Sequence, residues 1–507
     1  PIDEELAEYI KAGGELRAWN AQFERTIWNE ILHKRYGWPK TTVAQWVCTA
    51  AEARAMALPG SLDLAAQVLG VSQQKDKVGA SLMLRMARPR KIDTDGTIIW
   101  WDIPDRVQRL IDYCRQDVRT EVAIAKAIRR LGDTERRVFE LDQTINDRGV
   151  ALDIKLAKAA KHVAEKATLE ANRALYDLTH GKVAKVSNVG RLTEWLREQG
   201  VAVDSLGKNQ VKVLQETATG AVSEALSIRT EAGKSSVAKI EAMLEAVCAD
   251  GRIRGMLLYH GAATGRWAGR LVQPQNFPSG NIPDAESYIP LVLSRSVTEI
   301  DAVAPPLEVI SSMLRSMLVA GPGNKLIAAD FAAIEARVLA WLACEELLLE
   351  TFRSGGDVYK VMAEKIYNVP AKDVNKDQRQ VGKMAILGLG YGMGHKKFVD
   401  SCKTMAGIEI TEEQSREVVR LYRDTNKHVV ALWAGLNAAA LAAVREPGSV
   451  QAYGRIKYTA RGGYLWCILP SKRPLAYARP KLIERETPWG STAEAVSFEG
   501  MNSFTRK

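Results

Sequence analysis

The chain is 507 residues long, 46% apolar and 26% charged, with a net charge of +10 and a pI near 9.2. That is the composition of a globular protein of about three domains with large cores, and the basic excess favours a polyanionic partner such as nucleic acid. The cysteines (Cys48, Cys114, Cys248, Cys344, Cys402, Cys467) stand apart with no CxxC pair, which fits reduced thiols in a cytosolic protein better than a disulfide scaffold or zinc site. No apolar run is read as long enough to cross a membrane, and with Pro1 in first place the lack of a signal peptide carries no weight.

Residues 1 to about 130 begin with a strand-like Leu16-Arg17-Ala18, continue in helical patterns and are densely punctuated at Tyr36-Gly37-Trp38-Pro39. From Thr134 to about Ala249 the pattern is of charged, alanine-rich helices. Residues 261–306 read as turns, short strands and loops. Lys325-Leu326-Ile327 then reads as a strand that ends on Asp330. There it turns into a buried helix with Ile334, Val338 and Trp341/Leu342 on one apolar face. Helices run to about 445. Tyr453–Tyr458 and Gly463–Leu469 read as strands of a hairpin or meander. The fold class is α+β.

Three stretches carry chemistry. In the first, a bare carboxylate at Asp330 stands where burial would be expensive without a cation. In the second, Val374–Gly394, Asn375 and Gln378 make a capping box. Arg379, Lys383, Leu387 and Tyr391 then recur every four residues as a slowly spiralling helical stripe. Two cations, an apolar residue and an aromatic suit a nucleotide, with the triphosphate at one end and sugar and base at the other. A solvated basic face would explain the cations alone. Gly388, Gly390, Gly392 and Gly394 argue for close backbone approach or a hinge, since each costs a helix about 1 kcal/mol. In the third, Tyr259–Pro278, Thr264-Gly265-Arg266 is a tight turn presenting an arginine. Gln273 and Asn276 follow, in a combination able to read duplex edges and phosphates.

In this order the three stretches resemble the polymerase core of family A DNA polymerases, phage replicative branch. Asp330, Phe331, Ile334, Glu335 and Arg337 match one motif of that family. Arg379, Lys383, Gly388, Tyr391 and Gly392 match a second, and Thr264, Gly265, Arg266, Gln275, Asn276 and Pro278 a third. The resemblance implies a right-hand polymerase with thumb, palm and fingers. It implies synthesis on primer–template DNA from deoxynucleoside triphosphates, with two Mg2+ ions at Asp330 and the Phe331 carbonyl. Glu335 would obstruct a 2′-hydroxyl, with Ile334 beside the nucleotide. Arg379 and Lys383 would grip the triphosphate, Lys383 also donating a proton to the leaving group. Leu387 would lie against the incoming sugar and Tyr391 near the templating base. Thr264, Arg266, Gln275, Asn276 and Arg337 would contact DNA, and Arg229, Lys234 and Lys239 are candidate phosphate contacts of the thumb.

A second resemblance lies at the amino-terminal end. Trp19–Glu24 and Tyr113-Cys114-Arg115-Gln116-Asp117 resemble motifs of the ribonuclease H-like 3′–5′ proofreading exonucleases. That makes Asn20, Glu24, Tyr113 and Asp117 the site, with Glu24 and Asp117 as metal ligands. Expected domains are 1–130 exonuclease-like and partial, 131–255 thumb, 256–345 first part of the palm, 346–445 fingers and 446–507 return of the palm.

The chain departs from the family in three places. Leu387 stands where Phe or Tyr is usual. No aspartate follows Asp424, so the palm's His-Asp-Glu motif would lie beyond Lys507. Asp3-Glu4-Glu5 reads as a solvated helix face, so the exonuclease's Asp-x-Glu would precede Pro1. Both palm and exonuclease are therefore expected to be incomplete. Two other functions remain at this point: a non-catalytic primer–template binder, and a single-subunit RNA polymerase, which Glu335 and the exonuclease-like motifs speak against. No membrane partner is expected.

Overall fold

Asp153 ends the short strand Val150–Leu152 and caps the helix Ile154–Leu178, its carboxylate accepting from the Leu156 N–H at 2.9 Å. This computed structural model describes residues 2–232, 236–262, 264–278, 280–486 and 492–498. The chain divides into two units. The first joins Pro1–Ala51 to Arg130–Ile327, and the second joins Glu52–Arg129 to Ala328–Lys507.

In the first unit, Ile154–Leu178 buries Leu156, Ala157, Ala160, Val163 and Ala164. Small residues along one stripe let neighbouring elements approach closely, and the core is completed by Ile240, Met243, Ile310 and Met313. Val150–Leu152 pairs antiparallel with both Arg252–Ile253 and Leu318–Val319. Leu16–Ala18 is a strand, as expected, and pairs in parallel with Trp46–Cys48. Asp3 caps the helix Glu4–Lys11, with Glu4 and Glu5 exposed in its first turn, which fits the solvated-face reading. Residues 261–306 hold more helix than their punctuation suggests, at Ile289–Ser294 and Val297–Asp301.

In the second unit, the strands Gln451–Tyr453, Ile456–Arg461, Tyr464–Ile468 and Pro474–Ala478 form an antiparallel meander. Arg461 pairs with Tyr464 across Gly462-Gly463, whose φ values of +63° and +79° give a two-residue turn that matches strand twist. Against this sheet packs Lys427–Arg445, with Ala443 buried beside Ala460 and Leu465. This corrects one expectation. The helix is long and apolar enough by composition to cross a membrane. Its alanine and leucine content serves instead to pack on the meander. The segment Glu52–Arg129 belongs here too: the Met56 carbonyl accepts from the Ala476 N–H at 3.0 Å, and the Val68 carbonyl accepts from the Tyr464 hydroxyl.

The strand expected at 325–330 does not form. A strand exists through its ladder, and no described segment pairs with these residues. Ile327 is 91% exposed and Phe331 79%. The helix Ile334–Ala343 is real, but its sides are reversed. Ala336 and Ala340 are buried, while Ile334, Val338 and Trp341 are exposed. Alanines fit the tight contact with the helical core around Met384 and Leu389, and the larger side chains remain on the open side.

Candidate functional site

Asn375 opens the helix Lys376–Met384 with the expected capping box. Its Oδ1 accepts from the Gln378 N–H at 2.9 Å, and Gln378 Oε1 accepts from the Asn375 N–H at 3.0 Å. The helix then widens into a π turn over Ala385–Leu389. A four-residue step overshoots an α turn but falls short of the wider π turn, so the drift of the stripe Arg379, Lys383, Leu387, Tyr391 is turned back. Two glycines in this element have no room for a side chain. A Cβ on Gly382 would lie 2.2 Å from the Tyr359 carbonyl, and one on Gly390 would lie 2.8 Å from the Ile386 carbonyl. Within the glycine run, Gly390 is crowded by its own preceding turn and by the Leu339 side chain, with no close approach to the backbone of another element.

Leu387 and Tyr391 meet Ile334, Glu335, Leu432 and Trp433 around an open pocket of about 520 Å3. Glu335 is the one charged residue in that lining among the described residues. The Tyr391 hydroxyl donates to Glu335 Oε2 at 2.6 Å, joining positions 56 residues apart in the chain. Two of the three motifs therefore converge on one cavity whose apolar wall carries a fixed carboxylate.

Arg379 is engaged. Its Nε donates to Asp357 Oδ2 at 2.7 Å, and the guanidinium lies 5.2 Å over the Tyr359 ring. Asp357 also caps the helix Val358–Tyr367, accepting from the Tyr359 and Lys360 N–H groups at 3.0 and 3.3 Å. Burial alone would raise the Asp357 carboxyl, but the Arg379 hydrogen bond and the two backbone donors outweigh it and hold it below the usual carboxylate value. Lys383 is half-buried one turn further along. Asp330 is exposed, so no desolvation of its charge needs compensating. No cluster of three or more His, Cys, Asp or Glu able to hold a metal exists among the described residues. Arg337 is tied down locally: its Nε donates to the Ala332 carbonyl at 2.8 Å, and it stacks on Phe352 at 4.2 Å.

The third motif lies in the first unit. The Gly265 N–H donates to the Ala262 carbonyl at 2.9 Å and the Ala262 N–H to the Arg266 carbonyl at 3.1 Å, which makes the expected tight turn and leaves Arg266 exposed. The helix Asp133–Arg148 supports it with buried polar groups. Asp142 accepts from Trp267 Nε1 at 2.7 Å, and Asn146 exchanges hydrogen bonds with the Leu257 backbone at 2.9 and 3.1 Å. Thr264, Gln275 and Asn276 are exposed, and Asn276 donates to Gln273 Oε1 at 2.8 Å. Lys239 reaches the Val272 carbonyl at 3.5 Å, Arg229 is half-buried, and Lys234 lies outside the described residues.

Asn20 and Glu24 belong to the first unit, Tyr113 and Asp117 to the second. Asn20 precedes the helix Ala21–Ile27 without a side-chain cap, and Glu24 is half-buried on that helix. Asp117 pairs with Lys75 at 3.5 Å. Burial and a hydrogen bond with Asp117 push the buried Tyr113 phenol above its usual value, against the opposing pull of Lys75. Sequence reasoning missed Lys75, which carries no pattern. It also missed Asp357, although an acid just before an apolar-periodic run is a legible helix start.

Comparison with known proteins adds three findings. Residues 155–456 match the sequence profile described as DNA polymerase family A. A DNA polymerase of Bacillus phage SP02 is 36% identical over 494 residues, covering 95% of this chain and 74% of that one. A DNA polymerase of Mycobacterium phage L5 is 25% identical over 345 residues, covering 65% and 51%. Among solved structures, the polymerase domain of Pol1 from M. smegmatis, in complex with DNA primer-template and dNTP, superposes with a TM-score of 0.57. It is 17% identical and covers 93% of this chain and 70% of that one, a likeness of fold.

Proposed function

The chain belongs to DNA polymerase family A, and we propose that it performs template-directed DNA synthesis, adding deoxynucleotides to a primer 3′ end. The observation that carries this reading is the Glu335–Tyr391 hydrogen bond at the rim of an apolar pocket of about 520 Å3. A carboxylate tied to Tyr391 and filling the space beside the sugar leaves room for a deoxyribose and would clash with a 2′-hydroxyl. Primer–template DNA and dNTPs are the partners in this reading, and the cytoplasm, the host's for a phage-borne gene, is its place.

Asp330 and the Phe331 carbonyl fit divalent magnesium in kind. They are hard oxygens on an exposed segment, and Mg2+ is commonly held by one or two carboxylates together with substrate phosphates. When bound, two such ions supply charge neutralisation for the attacking and leaving oxygens. The remaining chemistry is the chain's own. Arg379 holds phosphate oxygens in its fork once it turns from Asp357. Lys383, with its mobile ammonium, neutralises and protonates the leaving diphosphate. Leu387 gives the sugar an apolar wall, and Tyr391 keeps Glu335 in place. Arg266, Thr264, Gln275 and Asn276 present a donor-rich surface to duplex DNA.

The domain reading is retained within this proposal: thumb 131–255, first palm segment 256–345, fingers 346–445 and palm return 446–507, preceded by an exonuclease-like 1–130. For proofreading the candidates stay those of the sequence, Asn20 and Glu24 in the first unit and Tyr113 and Asp117 in the second, and Asp117 becomes available to a metal only when its ion pair with Lys75 opens. The test of synthesis is incubation of the chain with a primer–template, Mg2+ and all four dNTPs. Growth of the primer that follows the template supports the reading, and growth that ignores the template sinks it.

A further inference from the structure

Residues 77–91 carry five cations and no acid. They run through the helix Lys77–Met86 into the hairpin of Lys91–Ile92 with Ile98–Ile99. Lys77 and Lys91 are paired with Asp63 and Asp93. Arg85, Arg88 and Arg90 are exposed and have no ion-pair partner among the described residues. At the foot of the hairpin the Trp101 ring has Arg106 4.8 Å and Arg90 5.8 Å from its centroid. Trp101 Nε1 and Arg106 Nη1 are both closed off from water, and neither has an acceptor. Two orphaned donors in one cluster are unusual, because each costs the folded chain a hydrogen bond it had in water. Next to them Trp100 is 52% exposed.

We propose that this arginine–tryptophan cluster and its hairpin bind single-stranded DNA. Phosphate oxygens would take the unsatisfied donors of Trp101 and Arg106, and Arg85 and Arg88 would extend the track along the backbone. Trp100 offers a base an aromatic face on which to stack, an interaction that every base can make. Arg90, exposed and held by no ion pair among the described residues, is the side chain that swings aside to admit the strand. The exposed acids Asp95 in the hairpin and Asp102 and Asp105 beside it limit the net charge here, so the site favours a strand fixed by stacking and directed hydrogen bonds over diffuse attraction. The inference rests on the polymerase reading for the presence of DNA, but it concerns residues to which that reading gives no role.

The test is fluorescence anisotropy of a labelled oligo-dT with the full chain, at several salt concentrations, beside primer extension on a primer–template. Trp101→Phe keeps an aromatic face, though a smaller one, and deletes a donor that is unsatisfied in the free protein. Loss of the unsatisfied donor offsets the lost ring area, so the melting temperature should shift by no more than a few degrees while oligo-dT binding weakens about tenfold. Arg85→Gln with Arg88→Gln should reduce the slope of log K against log salt by about 0.7 for each lost contact. Primer extension should persist in both variants. Unchanged oligo-dT binding in both overturns the inference. So does a wild-type chain that extends primers without binding oligo-dT. A melting temperature lowered by about ten degrees or more in Trp101→Phe with oligo-dT binding intact makes the cluster structural and also overturns it. A wild-type chain that neither binds oligo-dT nor extends primers removes the polymerase reading together with the inference.

Discussion

The Tyr391 hydroxyl donates to Glu335 Oε2 at 2.6 Å, so a residue just past a π turn fixes a carboxylate at the start of another helix. The bond ties the Glu335 carboxylate to Tyr391 at the exposed mouth of an apolar pocket. Glu335→Ala should reduce discrimination of dNTP over rNTP on the order of tenfold to a hundredfold, by removing the group that meets the 2′-hydroxyl. Tyr391→Phe should give a smaller loss in the same direction, because Glu335 then keeps its charge but not its anchor. The ratio of kcat/KM for matched dNTP and rNTP reads both, and an unchanged ratio in Glu335→Ala would remove this role.

Leu387 gives the pocket an aliphatic wall. Leu387→Tyr supplies a ring and a hydroxyl near the incoming sugar. The variant should accept dideoxynucleotides more readily than the parent. A competition assay between dNTP and ddNTP measures this, and equal discrimination in the two proteins refutes it.

Asp357 has two tasks, capping Val358–Tyr367 and pairing with Arg379. Asp357→Asn keeps a good cap and removes the charge. It should leave stability near wild type and lower KM for dNTP, since Arg379 is released for phosphate. Asp357→Ala loses the cap as well and should cost about 1 kcal/mol. The folded-state carboxyl lies below its ordinary 3.8. Its contribution is therefore complete above about pH 4 and is lost as pH falls through the lowered value. Acid titration of stability should show a shallower limb in Asp357→Ala than in the parent, and identical limbs would contradict the pairing.

Gly382 lies where a Cβ would stand 2.2 Å from the Tyr359 carbonyl. That atom is backbone and cannot yield without moving a helix. Gly382→Ala should destabilise by about 1–3 kcal/mol in urea unfolding, despite alanine's better helix propensity. A stabilised variant would mean that the two helices are less closely apposed than described.

The parts of the site legible in sequence are those fixed by neighbours in the chain. The Asn375–Gln378 box needs three residues' spacing and nothing else, and it is found where expected. The Thr264-Gly265-Arg266 turn is likewise local chemistry. The strand at 325–330 is a different matter, since alternation and apolarity license a strand only if a distant segment completes its ladder. The period of Ile334, Val338 and Trp341 reports that one face is apolar, not which face is covered, and here the alanines are inside. Arg379's engagement with Asp357 crosses 22 residues and two helices, beyond any periodic signal.

The measurement that bears most directly on the whole account is primer extension by the wild-type chain and Asp330→Ala, side by side, with primer–template affinity measured in both. Because Asp330 is exposed and makes no structural bond with a described residue, the variant should fold, melt and bind primer–template as the parent does. The account predicts templated extension by the parent and none by Asp330→Ala. Templated extension that survives the substitution would contradict it, and a parent that binds primer–template without ever adding a nucleotide would favour the non-catalytic binder, as expected of a palm that lacks its second carboxylate.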